Sequence, residues 1–328
     1  MPVMTFSDAT LEAMQEEMRR DATVFLMGED IAKQGGIFGQ FKGLPQEFGA
    51  DRVRDTPISE AALVGAGVGA ALTGCRPVVD MHFADFITCA MDEVVNQAAK
   101  LRYMFGEQCV VPMTLRAPDG ITKSAGSQHS QALEGWFVHT PGLEVVIPAD
   151  AEDAKGLLKS AIRSDNPTLY FEHKTLFPRK GQVPDDADFL VPIGKAKTMR
   201  DGGDVAIITY GITVGRALEA AEALEREGIN ATVINLRTVW PLDYGAIADA
   251  AARTHRVVVA HEAVRIGGVG AEIAAFISEN CFDDLDGPVM RLGAAHVPVP
   301  FAPALQEAMY PKAEMIADAA RRLVRREV

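Results

Sequence analysis

The sequence predicts an α/β protein of two domains, each wound around a parallel sheet. Three observations lead there. Short apolar runs bounded by Pro or Gly alternate with helical stretches. A proline- and charge-rich stretch at about 178–203 divides that alternation into two series. The length of 328 residues, with 48% hydrophobic and 23% charged side chains, is enough for two ordinary cores.

Residues 7–20 open with a helical stripe of Ala9, Leu11, Met14 and Met18, with Ser7 placed to cap it. A strand follows at 24–27. From there to about residue 56, Gly35, Gly36, Gly39, Gly43 and Gly49 surround Phe38, Phe41 and Phe48, a long loop of the kind that lines a cleft or meets a partner. Apolar runs at 77–81, 110–115, 143–147 and 168–171 read as further strands. The helix at 151–163 shows the period best: Ala154, Leu157, Leu158, Ala161 and Ile162 face a sheet, and Lys155 and Lys159 are left for solvent.

Beyond the break, strands are predicted at 205–210, 232–236, 257–260 and 289–292. Helices fall at 213–227, ended by Gly228, near 243–252 and from about 269. The predicted domains are 1–186 and 187–328.

Composition narrows the function. With 45 acids against 32 bases the formal net charge is −13, so a polyanion-binding surface would oppose the field of the whole chain, and nucleic acid is not an expected partner. Cys75, Cys89, Cys109 and Cys281 form no CxxC and no Cys/His cluster; they read as thiols in a reducing compartment. The longest stretch free of charged and strongly polar groups, 61–72, is far short of the roughly 20 residues a bilayer needs. Asp8, Glu12, Glu16 and Glu17 stand where a signal peptide would be basic and apolar, so a cytoplasmic location is expected.

The strongest local feature is Thr56-Pro57-Ile58-Ser59-Glu60, followed by a helix of almost no side-chain bulk, Ala61 to Ala70. One reading is structural: Ser59 caps, Glu60 favours the positive helix end, and the glycines permit close packing. A second reading takes Gly65, Gly67 and Ala70 as GxGxxA with Asp85 about 20 residues on, a nicotinamide-dinucleotide fingerprint. The glycines sit in a helix-like alanine run rather than a strand-to-helix turn, which counts against it.

TPISE with its small-residue helix, MHFADF (81–86), DEVVNQAAKLRYMFG (92–106), AGSQHSQ (125–131), HTPGLEVVIPADAEDAKGLLKSAIRSDNP (139–167), NLRTVWPLD (235–243), HEAVRIGGVGAEIAA (261–275) and VPVPFAP (297–303) together resemble the beta subunit of the thiamine-diphosphate-dependent 2-oxo acid and acetoin dehydrogenases. The likeness runs along nearly the whole chain. It implies a transketolase-like pyrimidine-binding domain followed by a transketolase C-terminal domain, in an α2β2 heterotetramer. An alpha subunit would hold the diphosphate and Mg2+; no Gly-Asp-Gly, the family's magnesium motif, occurs here.

By the same resemblance, the Glu60 carboxyl shares a proton with the aminopyrimidine of thiamine diphosphate, the Ile58 backbone and the Phe86 ring flank that pyrimidine, and His129 assists acyl transfer to the lipoyl group of a transacylase. His82 stands where relatives often carry Gln or Met; two roles stay open for it, a hydrogen bond to the pyrimidine or space filling. Phe83 is equally open between core and contact. A structural K+ is implied at the backbone of Met113, Ala161, Ile162, Ser164 and Asn166, with Ser164 where relatives have Asp. Glu172-His173-Lys174-Thr175-Leu176-Phe177 leans toward acetoin or pyruvate as substrate, with branched-chain 2-oxo acids open.

Two other classes remain as alternatives at this stage, an NAD-binding dehydrogenase and a non-catalytic scaffold subunit. His139, His173, His255, His261 and His296 lack a triad context and read as structural. The basic tail of Arg321, Arg322, Arg325 and Arg326 reads as a helix end complementing its dipole, or as a contact for an acidic partner.

Overall fold

Residues 1–327 are described by a computed structural model of the chain. They cluster into two compact units, one of Met1–Asp119 with Trp136–Ile193, the other of Gly120–Gly135 with the chain from Gly194 onward.

In the first unit β1 (Val3–Thr5) leads into α1 (Phe6–Arg20). Thr5, not Ser7, is its cap: Asp8 N–H donates to Thr5 Oγ1 at 3.0 Å and Thr5 N–H donates back to the Asp8 carboxylate, a reciprocal box. There follow β2 (Val24–Gly28), α2 (Leu44–Phe48), β3 (Val53–Asp55), α3 (Glu60–Leu72) and β4 (Arg76–Asp80). A 3-10 helix (Ala84–Ala90) and a π-helix (Glu93–Ala98) run into α4 (Ala99–Met104) and β5 (Thr114–Asp119). The chain returns to this unit within α5 (Glu134–Val138) and continues through β6 (Glu144–Val146), α6 (Ala151–Arg163), β7 (Thr168–His173) and β8 (Lys180–Gln182). Strands of this unit lie in the order β6-β7-β5-β4-β2-β3, all parallel, and β8 pairs antiparallel with β1.

The core between α1, α6 and the sheet includes Met14, Met18, Leu26, Val78, Leu157, Leu158 and Tyr170. Lys155 and Lys159 do not face solvent; both side chains are fully buried. Lys155 Nζ reaches Glu12 Oε1 at 2.7 Å and Glu16 Oε1 at 2.8 Å, and Lys159 Nζ reaches Glu16 Oε2 at 2.5 Å. Helical periodicity finds the face turned to the sheet; that α1 covers the other face is a tertiary fact it cannot carry.

The second unit holds β9 (Lys197–Arg200), β10 (Val205–Thr209), α7 (Thr213–Glu225), β11 (Ala231–Asn235), β12 (Thr238–Trp240), α8 (Tyr244–Thr254), β13 (Val257–Val264), α9 (Val269–Asn280), β14 (Met290–Ala294), α10 (Pro303–Met309) and α11 (Ala313–Arg325). Its sheet runs β14-β13-β10-β11-β9, parallel except for the edge strand β9. Ile207, Val233 and Val258 from the sheet pack with Ala220 and Leu224 of α7 and Ile316 and Leu323 of α11.

The break at 178–203 contains two short strands, β8 and β9, and the units meet in sequence at Ile193 and Gly194. Segment 120–135, inside the predicted 1–186 domain, clusters with the second unit. It has no periodic pattern, and side chains distant in the sequence, Glu262 and Gln306, bond to its backbone.

Candidate functional site

Sites in open parallel sheets collect at the carboxyl ends of strands, where helix starts and loops converge. In the first unit β4, β2 and β3 are neighbours, so their ends lie side by side. Gly28 ends β2, and a Cβ there would stand 2.7 Å from the Asp80 carbonyl. That close approach requires glycine. The next residue, Glu29, is 7% exposed, and sequence reading did not single it out.

His82, two residues past β4, is ligated on both ring nitrogens by Glu29. Nδ1 lies 3.2 Å from Glu29 Oε2, and Nε2 lies 2.8 Å from the Glu29 carbonyl oxygen. A carbonyl only accepts, so Nε2 carries hydrogen toward it, and the Glu29 carboxyl group lies beside Nδ1. Burial raises the Glu29 pKa, His82 opposes the rise, and the charge of Glu60 adds to it. The three groups therefore feel one another electrostatically.

Glu60 is half-buried as the first residue of α3, where the helix dipole favours a carboxylate. Ser59 is the N-cap by position, yet its side chain makes no capping hydrogen bond. The helix buries Leu63, Val64, Gly67, Val68 and Ala71. A Cβ at Gly67 would meet Val79 Cγ2 at 2.5 Å and Met113 Sδ at 3.0 Å, so close packing against the sheet is what this glycine allows. Gly65, Gly67 and Ala70 all lie inside α3 rather than in a strand-to-helix turn, so their backbone amides do not form a phosphate-binding turn. Ile58 is 80% exposed in the loop before the helix. Phe86 is half-buried and packs edge-on to Phe83 with centroids 6.0 Å apart; Phe83 in turn meets Phe38 and carries Lys174 Nζ 5.3 Å from its ring centre.

Beneath these ends lies a fully buried ion cluster that the sequence reading missed. Arg116 of β5 pairs with Asp80 of β4 and with Glu172 of β7, and all three side chains are 0% exposed. Thr10 Oγ1 donates to Glu172 at 2.6 Å, and the guanidinium sits 4.8 Å from the Phe41 ring centre. Burial raises the pKa of both carboxylates, against the attraction of Arg116. The available signal was three charged residues embedded in apolar strand runs.

The five residues expected to surround K+ lie at the end of α6 and the start of β5. Arg76 donates to the carbonyls of Ile162 at 3.1 Å and Ser164 at 2.9 Å. The Ala161 carbonyl accepts Ser164 N–H at 3.2 Å, and Met113 accepts Thr168 N–H at 2.9 Å. Ser164 Oγ accepts Asn166 N–H at 3.1 Å and donates to Glu144 at 2.9 Å, the turn-closing work that an Asp could also do. Arg102 donates to the Asn166 side chain at 2.5 Å. Among the described residues no group of three or more His, Cys, Asp or Glu side chains is arranged to hold a metal ion, and no helix is long and apolar enough to cross a membrane.

His129 lies in the second unit, half-buried, in a loop whose N–H at 129 donates to the Gly126 carbonyl at 3.4 Å. Of the other histidines, His261 is buried and stacked on Tyr210 at 5.8 Å, with its pKa lowered to about 4 chiefly by burial. His173 accepts from Thr175 N–H at 3.3 Å, and His255 Nδ1 meets the Asp284 carbonyl at 2.7 Å. In the tail, Arg321 pairs with Glu227 at 2.7 Å.

Residues 3–180 match the transketolase pyrimidine-binding domain and residues 194–316 match the transketolase C-terminal domain. A solved structure described as a split-gene transketolase, an inactive beta4 tetramer, superposes with a TM-score of 0.80 at 24% identity, covering 98% of each chain. The fold is thus that of the transketolases. Among curated relatives, the 2-oxoisovalerate dehydrogenase subunit beta of Bacillus subtilis (strain 168) is 46% identical over 94% of each chain. The mitochondrial pyruvate dehydrogenase E1 component subunit beta of Dictyostelium discoideum is 43% identical over 98% of this chain and 92% of its own. The acetoin:2,6-dichlorophenolindophenol oxidoreductase subunit beta of B. subtilis is 44% identical over 96% of this chain and 95% of its own. The chain belongs to the family of beta subunits of the 2-oxo acid and acetoin dehydrogenase E1 components.

Proposed function

We propose that this chain is the beta subunit of a thiamine-diphosphate-dependent dehydrogenase that cleaves a 2-oxo acid or acetoin and passes the acyl group to the lipoyl arm of a transacylase. The observation that carries the reading is Glu60, a half-buried carboxyl at the first turn of a helix of small residues, electrostatically coupled to a second buried acid, Glu29.

Thiamine diphosphate would supply an electron sink for carbanion chemistry. Glu60 would hold a proton against its pyrimidine ring. Ile58 offers its backbone and Phe86 its ring face to the same heterocycle. The double contact with Glu29 fixes the orientation of His82. His129 stabilises substrate oxygens and assists acyl transfer.

The diphosphate and its Mg2+ belong to the alpha subunit of an α2β2 assembly. The carbonyls of Met113, Ala161, Ile162, Ser164 and Asn166 suit a K+ in a purely structural role, since each carbonyl oxygen has two lone pairs. Arg76 already brings positive charge to that turn.

Acetoin or pyruvate is the favoured substrate on Glu172-His173-Lys174; branched-chain acids are the second reading, supported by the 46% identity to a 2-oxoisovalerate dehydrogenase subunit. The test is co-expression with the alpha subunit and turnover of acetoin, pyruvate and branched-chain 2-oxo acids with an artificial electron acceptor, for wild type and Glu60→Gln. The reading expects thiamine-diphosphate-dependent turnover on one substrate class and a loss of about 10²-fold or more in Glu60→Gln; undiminished turnover in that variant overturns it.

A further inference from the structure

We propose that Gln306 and Glu262 are positioning residues for His129, acting by holding the backbone of the loop that carries it; this rests on the assignment of His129 to the reaction. Segment 120–135 is irregular until α5, so most of its amides have no helix or strand partner. Within the segment, Gly120 N–H donates to the Gln131 carbonyl at 3.1 Å, Ala125 N–H to Thr122 at 3.3 Å and His129 N–H to Gly126 at 3.4 Å. Such a loop would sample many conformations unless side chains fixed it.

Two side chains remote in sequence do so. Gln306 of α10 is 4% exposed and uses both ends of its carboxamide: Oε1 accepts Ser124 N–H at 3.2 Å and Nε2 donates to the Thr122 carbonyl at 3.1 Å. This clamps the turn at Ser124, a non-glycine residue held at φ 57°. Such a conformation is disfavoured for a residue with a Cβ and persists only where surroundings impose it. Glu262 of β13 accepts Ile121 N–H on Oε1 at 2.8 Å, while its Oε2 takes Arg216 at 2.8 Å. Arg216 is itself held over the Tyr310 ring at 4.2 Å.

Past the clamp, Ser127 Oγ donates to the Val299 carbonyl at 2.7 Å, and beyond His129 the buried Glu134 accepts Tyr210 O–H at 2.7 Å. The loop is therefore fastened on both sides of His129. On the loop, the Gln306 and Glu262 clamps take hold of backbone atoms of Ile121, Thr122 and Ser124, so what they specify is the path of the chain toward residue 129, not its chemistry.

The experiment uses the reconstituted alpha-beta enzyme with its lipoyl-bearing transacylase. Gln306→Ala, Gln306→Glu, Glu262→Gln, His129→Ala and the double variant Gln306→Ala/His129→Ala are compared for kcat and KM, together with amide hydrogen exchange of residues 120–131. Gln306→Ala is expected to speed exchange across 121–127 and lower kcat about tenfold with an unchanged KM for thiamine diphosphate. Gln306→Glu, which keeps the acceptor for Ser124, should restore part of kcat. In the His129→Ala background, Gln306→Ala should cost less than about twofold, because the group it positions is gone. Where Glu262→Gln fails to fold, the Gln306 variants decide alone. The proposal is overturned if His129→Ala is impaired while Gln306→Ala keeps full kcat, or if the two losses multiply. Full turnover in His129→Ala instead removes the assignment of His129, and the proposal falls with it.

Discussion

Glu29 holds His82 by two atoms at once, its carboxylate at 3.2 Å from Nδ1 and its own carbonyl at 2.8 Å from Nε2. Main chain and side chain of one residue thus fix the plane and the tautomer of the other. The acid raised by burial is also the one that senses Glu60. Neutralising Glu60 should therefore lower the Glu29 pKa, and removing the imidazole in His82→Leu should raise it further. Because the folded value lies above the unfolded one, the stability linked to this group is present at low pH and lost as pH rises through the folded value. Carboxyl 13C titration of labelled Glu29 in the two variants checks the order; identical titrations in both would sink the coupling.

Arg116 neutralises two buried carboxylates from opposite sides. Replacing it by Met leaves both without their cation in a site closed to water, and the loss should be about 3 to 5 kcal/mol in denaturant unfolding. A variant that removes all three charges together, Asp80→Asn with Arg116→Met and Glu172→Gln, should recover much of that. If the single change proves milder than the triple, the ion cluster is not what stabilises this layer.

The two glycines of α3 that sit in opposite surroundings predict opposite signs. Gly67→Ala places a methyl 2.5 Å from Val79 Cγ2 and should destabilise by about 1 to 3 kcal/mol despite the better helix propensity of Ala. Gly69 has nothing within 4 Å of the same position, so Gly69→Ala should stabilise by up to about 1 kcal/mol. Thermal melts of the pair give the answer, and equal shifts would contradict the packing argument.

His261 is held neutral: burial brings its pKa from 6.5 to about 4, and Arg291 adds to the effect. Between those values the unfolded chain binds the proton and the folded chain does not, so stability falls as pH drops from 6.5 toward 4. The interval is worth about 3 kcal/mol at most. The Asn variant, which retains a donor for the Ala263 carbonyl, should show a shallower pH dependence of unfolding across that window; an unchanged slope would assign the acid lability elsewhere.

Helix periods and strand runs were legible because they are local: α6 occupies the predicted 151–163, and the parallel strands fall within a few residues of their expected places. Thr5 was passed over as a cap because Ser7 offers the same chemistry two residues on, and only the reciprocal bond with Asp8 separates them. Lys155 and Lys159 misled because a charged side chain is buried only when distant acids come to it, here Glu12 and Glu16 of α1. Glu60 could be reached through its motif and helix start. Glu29 could not, since a lone acid after a strand carries no pattern; it becomes visible only when β2 and β4 are side by side.

The polypeptide crosses between its units three times, after Asp119, after Gly135 and after Ile193. A gene fragment ending at Ile193 would therefore encode a borrowed sixteen-residue insert, 120–135, cut off from the partners that shape it. Recombination that swaps one half of this subunit for a homologue's inherits both the insert and its foreign receptor at once. Successful hybrids should be those that exchange 120–135 together with the carboxy-terminal half, which makes this short excursion a hereditary unit with a sequence it does not adjoin.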